Sequence, residues 1–125
     1  MKYDGKRAVY IDDNKVMLKV VKGKLEKLGF MVDIGEDANT LFCLLKNNEY
    51  DIIILDDMMP EITGTEAMQK LKGEGYTKPI VVLTGNIEPT DKEKYLSAGF
   101  DEYIGKPPTD GELDKVFTLL LDRIL

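Results

Sequence analysis

Strand and helix signals alternate five times along the chain, and this alternation predicts an α/β fold built on a parallel sheet. Three observations carry the prediction. Two short runs, Ile52-Ile53-Ile54-Leu55 and Ile80-Val81-Val82-Leu83, are apolar at every position, as in strands buried on both faces. The stretches between strand signals repeat apolar residues at three- and four-residue steps, the period of an amphipathic helix. The joints are short and carry glycine or proline.

Residues 6–11 form the first strand signal, and Asp12-Asp13-Asn14 ends it. Asn14 or Asp13 can cap the helix that follows. Leu18, Val21, Leu25 and Leu28 give that helix, over 15–28, its inner stripe, and Gly29 stops it. Residues 30–34 read as a second strand. Asp37 can cap a second helix with Ala38, Leu41 and Leu45 inward; Cys43 on it reads as a small, partly buried residue. The third strand ends in Asp56-Asp57, and Pro60 marks the exit into a loop. A third helix over 65–72 turns Ala67, Met68 and Leu71 inward and ends at Gly73 and Gly75. Pro79 opens the fourth strand, with Thr84 and Gly85 at its end. Pro89 suits the first turn of a fourth helix that closes at Gly99 and is poor in apolar residues. Residues 100–104 give a fifth strand, followed by Gly105-Lys106-Pro107-Pro108. Asp110 is expected to cap a last helix with Leu113, Val116, Phe117, Leu120 and Ile124 inward. Right-handed crossovers put helices on both faces of the sheet. The expected architecture is a flavodoxin-like (βα)5 three-layer sandwich, its five-stranded sheet in the order 2-1-3-4-5.

The 125 residues fit one domain, 1–125. Hydrophobic residues make up 43% and charged residues 32%, a composition able to fold around a core. A net charge of −6 argues against direct nucleic-acid binding, which needs a basic face. No apolar run approaches the roughly 20 residues of a membrane span, so no membrane contact is expected of this stretch. Cys43 is the only cysteine, which excludes an internal disulfide and fits a reducing, cytoplasmic setting. The chain has no histidine, so a histidine base or phosphate carrier must come from elsewhere.

In open parallel sheets the ligand site lies beyond the carboxyl ends of the strands. Asp12 and Asp13, Asp56, Thr84 and Lys106 all stand there. With strands 1 and 3 central, they converge on one crevice. Three carboxylates repel one another and raise their pKa values, and one lysine offsets one charge. A hard divalent cation that keeps some of its water, such as Mg²⁺, suits the remainder. A cation beside a carboxylate, a hydroxyl and an ammonium is arranged to hold a phosphoryl group.

These motifs resemble the receiver (response-regulator) domains of two-component signalling. They are the acidic pair Asp12-Asp13, Asp56 with Met59-Pro60 and Gly64 behind it, the strand-end Thr84, and Tyr103 three residues before Lys106-Pro107. Each is weak alone; their occurrence in order, each at its strand end, is specific. The resemblance implies that Asp56 takes a phosphoryl group from a phosphohistidine on a histidine kinase or a histidine phosphotransfer domain. It implies that Asp12, Asp13, Asp56 and the backbone carbonyl of Met58 hold Mg²⁺. Lys106 and Thr84 would contact phosphoryl oxygens. Tyr103 would turn as Thr84 moves, repacking the face of helix 4, strand 5 and helix 5. The domain's only catalysis would be its own phosphorylation and dephosphorylation. Lys106, beyond a strand end, is expected to face solvent and to add little to stability.

Gly5-Lys6-Arg7, Asp12-Asp13-Asn14 and Asp57-Met58-Met59-Pro60-Glu61 look most like receivers carried by hybrid histidine kinases, whose parent chain can be membrane-anchored. A stand-alone single-domain regulator and a non-phosphorylated pseudo-receiver are the alternatives. A phosphatase of the haloacid dehalogenase type needs a second Asp where Met58 stands. A flavodoxin needs a phosphate-cradling loop where Asp12-Asp13 stand. Asp57 adjoins Asp56; the offsets to Met59, Pro60 and Gly64 favour Asp56 as acceptor, with Asp57 pointing away or lining the rim.

Overall fold

The computed structural model describes residues 2–121. β1 (Arg7–Ile11), α1 (Lys15–Lys27), β2 (Met31–Gly35), α2 (Ala38–Asn47), β3 (Ile52–Leu55), α3 (Gly64–Gly73), β4 (Ile80–Thr84), α4 (Pro89–Ala98), β5 (Glu102–Gly105) and α5 (Asp110–Leu121) follow in turn. The strands form one sheet in the order β2-β1-β3-β4-β5, every pair parallel. The flavodoxin-like expectation therefore holds, order included.

Strand periodicity divides the core in two. Ala8, Tyr10, Ile52, Ile54, Val81 and Leu83 face the stripes of α1 and α5. Val9, Ile11, Ile53, Leu55, Ile80 and Val82 face α2, α3 and α4. β3 and β4 are buried at every position, as their unbroken apolar runs predict. β2 lies at an edge and is only partly buried; its first residue, Met31, is exposed. Phe30 lies outside that strand. Its ring stacks on Tyr3 and meets the edge of Phe117, closing one end of the α1–α5 layer.

Local chemistry fixes the helix starts. The Asn14 side chain accepts from the amides of Val16 and Met17, and Asp37 accepts from Thr40. Thr63 and Glu66 cap α3 reciprocally. α5 departs from expectation. Its cap is Thr109, whose hydroxyl accepts from the Glu112 amide at 3.1 Å, while Asp110 is already helical and pairs with Lys24 at 2.9 Å. A cap must stand one residue outside the helix, and Asp110 stands inside. Three side chains are less buried than their spacing suggests. Cys43 is exposed, and Leu28 and Leu45 are only partly buried. Ile124, assigned to the α5 stripe, lies outside the described residues. Among the described residues no helix is long and apolar enough to cross a membrane.

Candidate functional site

β1 pairs with β3 so that Ile11 stands opposite Leu55. The next residue on each strand is an aspartate, so the register brings Asp12 and Asp56 side by side. Backbone bonds fix both: the Asp56 amide donates to the Ile11 carbonyl at 2.9 Å, and the Asp12 amide to Gly35 at 3.0 Å. Both residues are buried, at 0% and 4% exposure, while Asp13 faces solvent. Carboxylate oxygens of Asp12, Asp13 and Asp56 lie within 4.8 Å of one another. They form a cup of hard oxygen donors at the sheet's top edge.

Lys106 reaches into this cup from the loop after β5. Its Nζ lies 2.7 Å from Asp12 Oδ2 and 3.0 Å from Asp56 Oδ1. Its side chain is only 18% exposed, so the solvent-facing lysine expected from sequence is corrected here. Two buried carboxylates draw the ammonium in, since neither can shed its hydration without a cation or a proton.

The electrostatics differ in emphasis from the expected mutual repulsion. Burial is the largest influence on Asp56, pushing its carboxyl up; the bond from Lys106 pulls it back, and the charge of Asp12 adds to the rise, leaving it near about 6. Burial works to lower the Lys106 pKa, but the bonds to Asp12 and Asp56 outweigh it, and the ammonium is held above its usual value. Asp12 also accepts from the Asn14 amide at 2.9 Å and from the Tyr10 hydroxyl. Burial, then that bond, raises the Tyr10 phenol. Tyr10 had a sequence signal that went unused: two residues before Asp12 on one strand, it shares a face with it.

Thr84 ends β4 and is buried, with its partner Gly105 just before Lys106. Its hydroxyl accepts from the Asn86 amide at 3.1 Å. Tyr103 on β5 donates its hydroxyl to the Asn86 carbonyl at 2.5 Å. One loop residue therefore holds both side chains.

Asp57 turns from the cup, as expected. Its Oδ1 accepts from the Thr65 amide at 3.0 Å and hydroxyl at 2.8 Å, and its Oδ2 from Tyr95 at 3.0 Å. The Met58 side chain is exposed. Gly64 lies so close beneath the strand end that a Cβ there would sit 2.4 Å from the Asp56 carbonyl oxygen.

Residues 8–118 match the response regulator receiver domain family. Response regulator MprA of Mycobacterium sp. strain KMS is 32% identical over 117 residues, which are 94% of this chain and 51% of that protein. The chain spans about half or less of the length of the curated relatives it matches. The receiver domain of the Francisella response regulator 1452 superposes with a TM-score of 0.87 at 27% identity, covering 95% of this chain and 98% of that one. The receiver domain of a sensor histidine kinase from Pseudomonas aeruginosa PAO1 superposes with a TM-score of 0.83 at 28% identity, covering 94% and 98%; it holds a magnesium ion in its active site cleft. A match over residues 8–118, which reaches every strand and helix, makes this chain a member of the response regulator receiver domain family.

Proposed function

We propose that Asp56 is the phosphoacceptor of a two-component phosphorelay. The observation that carries this reading is the ammonium of Lys106 set between two buried carboxylates. It occupies the point where negative charge would increase on phosphorylation. In the proposed step a carboxylate oxygen of Asp56 attacks phosphorus. The bond from phosphorus to the donor's histidine nitrogen breaks, and that nitrogen leaves with the electron pair. Phosphoryl transfer asks a protein chiefly for positioning and charge neutralisation. Burial and the β1–β3 register supply the first. Lys106 supplies part of the second, pairing with a phosphoryl oxygen while Thr84 hydrogen-bonds another.

The donor set fits Mg²⁺: three carboxylates, all hard oxygen, with one ammonium to offset them. Asp12, Asp13, Asp56 and the Met58 carbonyl would hold the ion, which when bound screens the repulsion between the carboxylates and the incoming phosphoryl group. The magnesium in the Pseudomonas receiver supports this assignment. The proposed output is a repacking of the face formed by α4, β5 and α5, where Lys92, Tyr103 and Lys115 line a shallow cleft.

The donor is a phosphohistidine on a histidine kinase or phosphotransfer domain, met in the cytoplasm, and the working unit is 1–125. The parent we favour is a hybrid histidine kinase, supported by the similarity to kinase-borne receivers. A response regulator, like the curated relatives, is the other reading. Incubation with a small phosphodonor and Mg²⁺, followed by reductive trapping, tests the function. Label is expected on Asp56; label on Asp57 would refute the assignment, and no label at all would leave a pseudo-receiver binding module.

A further inference from the structure

α4 buries one residue, Tyr95, at 1% exposure. Its ring meets the edge of Phe100 at 6.0 Å and stacks near Tyr103 at 6.1 Å. Packing alone would be served by phenylalanine; a buried phenol also has to satisfy its hydroxyl. That hydroxyl donates to Asp57 Oδ2 at 3.0 Å and accepts from Asn86 Nδ2 at 3.0 Å. The two partners are unusual in their positions. Asp57 is the chain neighbour of Asp56, and its other oxygen anchors Thr65 at the start of α3. Asn86 is the residue whose backbone holds the hydroxyls of Thr84 and Tyr103. One phenol thus joins the residue beside the acceptor to the residue that restrains both switch side chains.

From this we infer that Asp57, Tyr95 and Asn86 form a latch that holds α4 and the β4–α4 loop in the resting arrangement and opposes the movement of Thr84. The inference rests on the receiver reading given above. When Thr84 turns its hydroxyl to a phosphoryl group on Asp56, the bond from the Asn86 amide is given up. The loop cannot follow while Asn86 is tied through Tyr95 to the start of α3. The tie ends on a carboxylate, which strengthens its hydrogen bond relative to a neutral acceptor. α4 has no other buried side chain to resist displacement, so the latch sets the balance between its two positions. Tyr95 is a positioning residue; it touches no reacting atom.

The test is Tyr95→Phe, which deletes the hydroxyl and keeps the ring. Amide spectra are recorded while beryllofluoride, a phosphoryl mimic, is titrated in with Mg²⁺ held constant. Opening the latch in advance is expected to lower the half-saturating mimic concentration by about fivefold, because a larger fraction of molecules is already competent. Without the mimic, amides of 86–98 are expected to shift part of the way toward their bound positions. Labelling of Asp56 by a small phosphodonor is expected to stay within about twofold. Asn86→Ala cuts the same tie from the exposed loop side, keeps both backbone bonds, and is expected to reproduce the effect; it decides the matter if Tyr95→Phe does not fold. A half-saturation unchanged or raised overturns the latch. If the wild-type chain itself ignores the mimic, the receiver reading falls and takes the latch with it.

Discussion

The two sides of the candidate site are held by different physics. On the β1–β3 side, Asp12 and Asp56 follow strands buried at every position but Arg7, with backbone bonds on both and Lys106 between their carboxylates. On the α4 side a single buried side chain, Tyr95, is bonded to Asn86 on an exposed loop and to the half-buried Asp57, and Gln69 of α3 bonds the Ala98 carbonyl. The first side keeps a charge cluster at fixed spacing, which phosphoryl chemistry needs. The second buries little on α4, the condition a switch would need. The contrast teaches that rigidity here is placed where bonds would be made, and compliance where a partner would read the result.

The largest expected effect would break the comparison at its rigid end. Asp56→Asn is expected to abolish trapped acyl phosphate, while Asp57→Asn retains it; mass-spectrometric mapping after borohydride reduction distinguishes the two. Lys106→Ala is expected next, costing about 2–3 kcal/mol in urea unfolding at neutral pH without metal. It leaves two buried carboxylates without their cation, though Asp56 can take up a proton. Millimolar Mg²⁺ is expected to restore part of the loss, and an unchanged midpoint would place Lys106 back on the surface.

The Asp56 carboxyl is raised from 3.8 to about 6, so the folded state keeps a proton that the unfolded chain has released. The stabilisation this gives is complete below pH 3.8 and is lost as pH rises through 6. Asp56→Asn removes the titration. In metal-free buffer its advantage over wild type is expected to grow from near zero at pH 4 to roughly 2 kcal/mol at pH 7.5. A pH-independent difference in urea unfolding would argue against burial as the cause. The smallest effect sharpens the compliant end. Leu96→Ala on α4 is expected to cost only about 0.5 kcal/mol, because that residue is 36% exposed and outside the buried core. A loss of 2 kcal/mol or more in the same assay would mean that α4 is as firmly packed as its neighbours.

Sheet order, strand placement and the cup of aspartates were legible because they follow from two local signals. Unbroken apolar runs mark β3 and β4 as interior strands, and acidic residues stand directly after β1 and β3. What escaped was set by side-chain reach across elements. Lys106 is four methylenes long, and sequence does not tell whether it turns out to water or in to Asp12. The cap of α5 slipped by one residue because Thr109 and Asp110 are both good caps and only the backbone chooses. Tyr95 read as one of few apolar residues on a weak helix. Its hydroxyl acquires meaning only when Asp57 and Asn86, 38 and 9 residues away in the chain, are seen to meet it.

Gly64 has no functional group, yet the backbone of Asp56 dictates its identity. A methyl there would lie 2.4 Å from the Asp56 carbonyl oxygen, so even alanine has to push that peptide or the start of α3 aside. In a library randomised across the loop from 57 to 64, selection for phosphoryl uptake is therefore expected to leave a strong consensus at a position that carries no reactive group.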